Sequence, residues 1–408
     1  MTILLNKNFR LSGFISVLLV SLLLATNICL TGCSDSENEL SRDINHLQLP
    51  DHSLLIYLVA DNNLSYQCET SFKQITEAYF GTKGHENTNL FIYVDNIDAD
   101  PVLYWLDPVD GITILRNYNE TDSCSPSVIK DVCTTAFGSG SRNNPVNTAI
   151  FWSHGTNWLP ATHTGSRSFG DDDGCQVDIA DMADALKGLN INNLMFDACQ
   201  MASVEVAAQF VDTADVLVGS PAEILATSFP YHTIIPDLCT SNPDMHKVVD
   251  RFFEYYDSMQ GQYRSGILTA VNLSGIRRLA HAFGKIKNPV YGDRHLQSVP
   301  ILCYDRYNPK VFYDFMQFGE MCRDKYAELY DKEQAEELFK ELEKAFNECD
   351  IYTRDTGCVL EIKLTNPCGL SVYVPGPITV KGLDDFYAKL AWYDWTEQAT
   401  GEKTGVSF

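Results

Sequence analysis

Two short stretches decide the fold of this 408-residue chain: TAIFWSHG at Thr148–Gly155 and LMFDAC at Leu194–Cys199. Each begins as an uninterrupted apolar run of strand length, which is typical of a strand buried on both faces of a parallel sheet. Each then ends in small and polar residues. Because open α/β sheets place their chemistry beyond the carboxyl ends of the strands, the residues after these two runs are the first candidates for a functional site.

Further apolar runs repeat this pattern along the chain, and amphipathic stretches separate them. The predicted strands are Leu54–Ala60, Leu90–Val94, Thr148–Trp152, Leu194–Phe196, Val216–Val218 and Ile267–Val271. Helical periodicity is present at Ile179–Leu189 and at Met201–Phe210. The alternation predicts an α/β fold, with helices covering a mostly parallel sheet.

The pattern changes after about Pro300. A long amphipathic helical stretch rich in Glu and Lys covers Val311–Cys349, and strand-like runs follow at Cys358–Leu364 and Leu370–Val374. We therefore predict a core at residues 53–300 and, at residues 301–408, a C-terminal helical and β subdomain packed on it.

The first 32 residues have the layout of a secretory signal peptide, with basic residues followed by an apolar run. The run leads to LTGC at Leu30–Cys33, which resembles the bacterial lipobox. Cys33 is then the predicted lipid anchor, at the outer membrane of the bacterial envelope; an uncleaved membrane anchor or an ordinary secretory signal is the alternative. Residues 33–52 form an acidic tether, which is either an export tag or a solvated spacer.

Composition excludes several classes of protein. The chain carries 30 Lys and Arg against 54 Asp and Glu, a net charge of −24, whereas nucleic-acid binders need clustered cations. A hydrophobic content of 45% excludes a disordered chain. Eleven of the 13 cysteines follow Cys33, no C-x-x-C motif occurs, and spacing alone assigns no disulfide.

A cysteine and a histidine follow neighbouring strands of the predicted sheet. Cys199 comes at a strand-to-helix corner, where a helix N-terminus would favour the thiolate, and His154 can accept its proton. The backbone N–H groups of Gly155 and Cys199 are the candidate oxyanion hole. A buried structural cysteine and a solvated histidine are the competing interpretation.

Five motifs in order resemble the clostripain (C11) family of cysteine peptidases. They are LIYLVADNNL (55–64), IFWSHG (150–155), FDACQM (196–201), VGSPAE (218–223) and GLSVYVP (369–375). The resemblance implies a caspase-like α/β/α sandwich, with His154 as base and Cys199 as nucleophile. It also implies cleavage of protein or peptide substrates after basic residues.

The same resemblance implies roles for further residues. Members activate themselves by cleavage in the loop after the histidine, and the bond Arg167–Ser168 is the candidate, unless Arg167 is an ordinary surface residue. Asp197 matches the carboxylate that receives the basic side chain, with a helix cap as the alternative. Thr227 stands where a second acidic residue is expected, and Glu223 either compensates for it or is structural.

Metals and rival functions complete the expectations. The acidic run Asp171–Asp173 either binds calcium, which some family members require, or forms a solvated turn; it lacks EF-hand spacing. We predict no catalytic metal. The rival function is a non-catalytic surface-binding lipoprotein on the same scaffold. Expected partners are substrates and, through Cys33, the membrane; the protein is expected to be a monomer or two associated chains after processing.

Overall fold

The computed structural model describes residues 52–97, 99–138, 145–160, 168–291, 301–375 and 382–399. The predicted signal peptide, Cys33, the tether up to residue 51 and Arg167 lie outside these ranges. Their roles therefore stay predictions. His52, the last residue of the predicted tether, is the first residue of a buried strand.

A nine-stranded sheet forms the centre of the molecule. The strands of the described residues are β1 (His52–Ala60), β2 (Thr88–Asn96), β3 (Ala99–Asp107), β4 (Gly111–Asn117), β5 (Val146–Trp152), β6 (Phe169–Asp172), β7 (Cys175–Val177), β8 (Ile191–Asp197), β9 (Ala214–Gly219), β10 (Ile267–Asn272), β11 (Phe312–Asp314), β12 (Tyr352–Asp355), β13 (Cys358–Val359), β14 (Ile362–Lys363) and β15 (Ser371–Tyr373). The sheet order is β12-β10-β9-β8-β5-β1-β2-β3-β4, and β6–β7, β11–β15 and β13–β14 form small separate pairs.

The middle of the sheet is parallel and its edges are antiparallel. Strands β2, β1, β5, β8 and β9 run in one direction. Strands β3 and β4 extend one edge, and β10 and β12 extend the other, each pairing antiparallel. The predicted α/β fold around a mostly parallel sheet is confirmed.

Helices cover both faces of the sheet. They are α1 (Ser65–Gly81), α2 (Pro126–Phe137), α3 (Ile179–Leu186), α4 (Val204–Gln209), α5 (Tyr231–Leu238), α6 (Met245–Asp257), α7 (Ile276–Tyr291), α8 (Phe315–Leu329), α9 (Lys332–Asn347), α10 (Leu383–Tyr387) and α11 (Ala391–Gln398). Helices α1, α5 and α6 share one hydrophobic cluster, and α2, α3, α4 and α7 share the other. Strand β1 is buried throughout because its alternate side chains enter the two clusters.

The C-terminal part joins both the sheet and one of the two clusters. Strand β12 pairs with β10 at the edge of the central sheet. Phe315 of α8, Leu342 of α9 and Trp392 of α11 belong to the cluster shared by α2, α3, α4 and α7. The helices of the C-terminal part therefore add to the helical layer on that face of the sheet.

Some predicted elements have different boundaries in the structure. The stretch Val311–Cys349 contains β11 and two helices, because Asp331 begins a new helix by accepting a hydrogen bond from the N–H of Gln334. The β3–β4 hairpin was not predicted. Its edge strand exposes Ile112 and Ile114, so it lacks the continuous apolar run of the buried strands.

Cysteines contribute thiols rather than cross-links in the described residues. The eleven cysteines found there form no disulfide with one another, and most are buried. Neither Cys124 with Cys133 nor Cys358 with Cys368 is bridged. None of the helices in the described ranges combines the length and apolar character that crossing a membrane requires.

Candidate active site

The strand register brings His154 and Cys199 to the same level of the sheet. In the parallel pair β5–β8, Trp152 lies opposite Asp197, and the two candidate residues each follow two positions later. Gly155 packs directly on the nucleophile. A Cβ atom at Gly155 would lie 2.5 Å from the Cys199 carbonyl oxygen, so glycine is required for this approach.

The thiol of Cys199 is half-buried and contacts the backbone of Ile224. The N–H of Ile224 lies 3.4 Å from Sγ, and Sγ lies 3.7 Å from the Ile224 carbonyl oxygen. Burial raises the pKa of the Cys199 thiol to about 11, the hydrogen bond from Ile224 opposes this rise, and Glu223 adds to it. We therefore expect the Cys199 thiol to be protonated at neutral pH.

This result corrects the expectation that a helix N-terminus stabilises the thiolate. Helix α4 begins at Val204, with Ser203 as its cap, so its first turn does not start at Cys199. Between them, Gln200 adopts a left-handed φ of 64° and donates its N–H to the Ala222 carbonyl. Without helix N–H groups at the sulfur, desolvation dominates.

The side chain of His154 is half-buried, and its imidazole has one hydrogen-bond partner among the described residues. Its Nε2 lies 2.7 Å from Oδ1 of Asn63, which follows β1. Burial lowers the pKa of the His154 imidazole, and the nearby carboxylate of Asp171 opposes that shift. Among the described residues, no hydrogen bond joins His154 to Cys199, and the imidazole Nδ1 has no partner.

The two predicted oxyanion donors are free. Neither the N–H of Gly155 nor that of Cys199 donates to any group of the described residues. Both belong to backbone segments in direct contact, since the Cβ position of Gly155 is 3.3 Å from the Cys199 nitrogen. Unpaired N–H groups beside a nucleophile suit an acyl-transfer site, because they can accept the charge that develops on a carbonyl oxygen.

Asp197 lies buried at the end of β8. Its Oδ2 accepts hydrogen bonds from the Ser228 hydroxyl, from the Phe229 N–H at 2.9 Å and from the Tyr231 hydroxyl at 2.9 Å. Burial raises its pKa to about 6 despite these donors. Its Oδ1 accepts no hydrogen bond from the described residues, so one of the two carboxylate oxygens has no donor.

Thr227 is exposed and precedes Ser228, whose hydroxyl bonds to Asp197. Tyr256 donates its hydroxyl to the Ser228 carbonyl at 2.6 Å, so the Thr227 hydroxyl, 2.9 Å from it, is the donor in their contact. Trp152 donates its indole N–H to Ser228 Oγ at 2.6 Å. The ends of β5 and β8 and the loop at residues 227–231 are joined through Asp197 and Ser228.

Glu223 does not supply the second carboxylate. It makes a bidentate ion pair with Arg306, with both N–O distances 2.6 Å. Arg306 also contacts Glu361 at 3.1 Å. Glu223 would have to break a bidentate pair before it could bind a substrate cation.

Comparison with known families shows to which family the chain belongs. The family model of the clostripain family of peptidases, C11, matches residues 56–361. The chain belongs to the clostripain family. It is a cysteine peptidase, which disfavours the alternative of a non-catalytic binding protein.

Solved structures of C11 proteases have the same fold. An inactive zymogen C11 protease from Parabacteroides distasonis is 24% identical with a TM-score of 0.70, covering 86% of this chain and 99% of its own. A secreted C11 cysteine protease from Bacteroides thetaiotaomicron, in complex with an irreversible peptide inhibitor, is 23% identical with a TM-score of 0.69 and the same coverage. A further structure of a secreted C11 protease from that organism, iotapain, is 20% identical with a TM-score of 0.72, covering 85% of this chain and 99% of its own. No curated protein sequence matches the chain.

In this clostripain-family chain, the segment after the predicted cleavage site contacts the histidine strand end. Ser168 is buried, and its carbonyl accepts a hydrogen bond from the Thr156 N–H at 3.0 Å. Gly170 donates its N–H to the His154 carbonyl at 3.0 Å. Arg167 lies outside the described residues, so the structure gives the position of only one side of the predicted bond.

The acidic residues Asp171 and Asp172, which follow this segment, lie in different environments. The carbonyl of Asp171 accepts a hydrogen bond from the Asn62 amide at 2.5 Å. Asp172 is buried, and its carboxylate lies with those of Asp61 and Glu120 in a group whose oxygens are within 4.8 Å of one another. Oxygen ligands of this kind suit calcium. The calcium expectation for the clostripain-family enzyme therefore concerns Asp172 with residues distant in sequence, and it stays a prediction.

Two features of the site escaped sequence reasoning. Asn63 belongs to the quoted motif LIYLVADNNL but was given no role, because its contact with His154 spans 91 residues. Arg306 pairs with Glu223 across 83 residues and has no motif around it. In the sequence, the only signal for Asn63 is its place just after an apolar run. The only signal for Arg306 is that it is an isolated cation.

Proposed function

We propose that this cysteine peptidase acts through a dyad of His154 and Cys199 and cleaves on the carboxyl side of Arg or Lys. The observation that carries the dyad is the packing of Gly155 on Cys199, which supplies two free N–H groups at the nucleophile. An oxyanion donor of this kind contributes about 3 kcal/mol to transition-state stabilisation.

The reaction begins from neutral groups. Burial raises the pKa of the Cys199 thiol and lowers that of the His154 imidazole, so the proton rests on sulfur in the free enzyme. As Sγ bonds to the substrate carbonyl carbon, the imidazole accepts the thiol proton. The carbonyl oxygen becomes an oxyanion and takes hydrogen bonds from Gly155 and Cys199.

Collapse of this intermediate completes the first half of the reaction. The C–N bond breaks, His154 returns the proton to the leaving amine, and an acyl-enzyme remains on Cys199. Water then attacks the acyl carbon, with His154 as base, and the acid product leaves as the thiol is restored. No step of this scheme uses a metal ion.

Asp197 supports the preference for a basic residue. Its Oδ1 has no donor and its Oδ2 is fixed by three, so the carboxylate is oriented and unsaturated. Desolvation makes the charged form costly until a cation arrives. A substrate guanidinium or ammonium that reaches Oδ1 compensates the buried charge.

Self-processing after Arg167 belongs to the same proposal. The burial of Ser168 and its bond to Thr156 mean that the bond between residues 167 and 168 can enter an active site only after this segment opens. We therefore expect processing to be slow compared with the cleavage of a free peptide. An intact chain in fully active enzyme would contradict self-processing.

Lipid attachment at Cys33 and a place at the bacterial envelope complete the proposal. They are supported by LTGC at residues 30–33 after an apolar run. Mass spectrometry of the N-terminal peptide from native membranes tests them: a diacylglyceryl-modified Cys33 is expected, and an unmodified or uncleaved N-terminus would contradict the anchor.

The central experiment compares three proteins on one peptide library. Wild-type mature chain, Cys199→Ala and Cys175→Ala are incubated with the library, and cleaved bonds are identified by mass spectrometry. Cys175 is an exposed cysteine on β7 and serves as the matched control. We expect cleavage after Arg or Lys by wild type and Cys175→Ala, and none by Cys199→Ala.

Other outcomes separate the parts of the proposal. Cleavage by Cys199→Ala would refute the dyad. Cleavage after uncharged residues would keep the dyad and refute the role of Asp197. If neither the self-processed nor a trypsin-nicked wild type cleaves any peptide, the proposed activity is wrong.

A further inference from the structure

The crevice of the sheet lies between β1 and β5. From β1 the chain crosses to β2 on one side, whereas β5, β8 and β9 follow one another on the other side. In open α/β sheets, the carboxyl end of such a reversal leaves a crevice where ligands bind. Asn63 follows β1 and His154 follows β5, so their hydrogen bond spans this crevice.

The chemistry of this bond fixes one proton. Asn63 Oδ1 can only accept, so Nε2 of His154, at 2.7 Å, carries the hydrogen. The other ring nitrogen, Nδ1, is then the basic one in a neutral imidazole. It has no partner among the described residues and is free to accept a proton.

The backbone on both sides of the bond is held by its own contacts. Asn62 donates its side-chain amide to the carbonyls of Asp171, at 2.5 Å, and Val59, at 3.3 Å. Its Oδ1 accepts the Leu64 N–H at 2.8 Å. The carbonyl of His154 accepts the Gly170 N–H at 3.0 Å. The loop that carries Asn63 is therefore anchored to β1 and β6 independently of the histidine ring.

We propose that Asn63 is the positioning residue of the dyad: its side-chain oxygen keeps the proton of the His154 imidazole on Nε2 and leaves Nδ1 to accept the Cys199 proton. This inference rests on the proposed dyad and adds a third residue to it. Asn63 contacts neither the nucleophile nor, in this proposal, the substrate; it acts through His154.

Proton transfer follows from this arrangement. When Sγ attacks, the S–H bond breaks, the proton moves to Nδ1, and the ring becomes an imidazolium with Nε2–H still bonded to Asn63. When the C–N bond breaks, the proton leaves Nδ1 for the amine nitrogen. The amide oxygen holds the ring in one orientation throughout and carries no net charge.

The charged groups around the dyad act on different partners. Asp171 of β6 is the carboxylate whose field reaches the imidazole. Glu223 and Asp197 act on the Cys199 thiol, and Arg306 opposes them. An additional carboxylate placed at Asn63 would be the first charge in direct contact with the ring, and it would favour the imidazolium.

Three variants test the inference. Asn63→Ala removes the acceptor, and we expect kcat to fall by about tenfold to a hundredfold with little change in KM, because a misplaced ring costs this much. Asn63→Asp restores an acceptor, so much of kcat should return, while the acidic limb of kcat/KM moves to higher pH. Asn192→Ala is the matched control; its side chain bonds to Asn147 and Asp215 at the other end of the sheet.

A second readout does not depend on turnover. In Cys199→Ala protein, ¹⁵N-labelled imidazoles report the tautomer and titration of each of the nine histidines, and His154 is assigned by its loss in His154→Ala. We expect an Nε2–H tautomer that Asn63→Ala weakens. Asn63→Asp should raise the pKa of His154, and Asn192→Ala should change neither property.

The outcomes keep this inference apart from the proposed function. Turnover by Cys199→Ala would refute the dyad itself. If Cys199→Ala is inactive but Asn63→Ala keeps the wild-type kcat, tautomer and pH profile, the dyad stands and the role of Asn63 is wrong. An unshifted acidic limb in Asn63→Asp would equally overturn it.

Discussion

His52 and His154 lie at opposite ends of the same sheet and differ in how their ring nitrogens are used. His52, at the amino end of β1, is buried, with Nδ1 3.1 Å from the Thr88 hydroxyl and Nε2 3.2 Å from the Thr148 hydroxyl. Among the residues that the structure describes, His154 has Asn63 on one nitrogen and no partner on the other.

This difference predicts which of the two histidines can exchange a proton with a substrate. A ring whose two nitrogens are both satisfied stabilises the fold and has no site left for a proton in transit. A ring held on one side only is oriented and still basic. The same contrast holds for the backbone: within the described part of the chain, the N–H groups of Gly155 and Cys199 have no acceptor although they lie beside paired strands.

The strongest test of this difference is to replace each histidine by alanine in turn. We expect His154→Ala to lower kcat by about 10²-fold to 10⁴-fold, because the general base is lost, with little effect on stability. His52→Ala should instead lower the free energy of unfolding by about 1–3 kcal/mol, since it removes two buried hydrogen bonds, and keep kcat per folded molecule. Steady-state kinetics and urea unfolding measure both; equal losses of kcat would remove the distinction.

Asp197 extends the comparison to a carboxylate with one satisfied and one open oxygen. Asp197→Asn keeps the shape and removes the charge, so we expect kcat/KM for Arg and Lys substrates to fall by about tenfold to a hundredfold. Substrates with an uncharged residue at that position should change little. Cleavage rates for matched peptides that differ only in this residue give the measurement, and an equal fall for both kinds would point to a structural role.

The pH dependence of stability gives an independent check on Asp197. Its folded-state pKa of about 6 lies above that of an unfolded aspartate, so folding favours the protonated form. The stability contributed by this group is present below about pH 4 and is lost as pH rises through about 6. Asp197→Asn should flatten the unfolding free energy of the protein over that window.

The smallest expected effect comes from Thr227, whose hydroxyl is already paired with Tyr256. Thr227→Asp places a carboxylate at the exposed position that precedes Ser228, the residue bonded to Asp197. We expect the preference for basic over uncharged residues to rise by about threefold to tenfold, because an exposed charge is screened by solvent. Thr227→Asn is the uncharged control, and the same rise in both variants would exclude an electrostatic cause.

The sequence predicted those site residues that directly follow a strand. It did not predict contacts between residues that lie far apart in the sequence. His154 and Cys199 were found because each follows an apolar run, and parallel register brings such residues together. The ionisation of Cys199 was predicted wrongly, because the start of α4 at Val204 depends on a left-handed Gln200 that periodicity does not reveal. The exposed hairpin β3–β4 was missed because an edge strand needs no continuous apolar run.

The pairing of β5 with β8 determines how a self-cleaved enzyme would refold. A cut after Arg167 would leave His154 on one polypeptide and Cys199 on another, with β5 and β8 still paired between them. Refolding would then require two molecules to meet, so recovery from heat or denaturant should depend on enzyme concentration, whereas the uncut chain should recover independently of it. Dilution series after denaturation measure this directly. A peptidase that is processed in this way would be activated once and, after unfolding in a dilute medium, would not regain its activity.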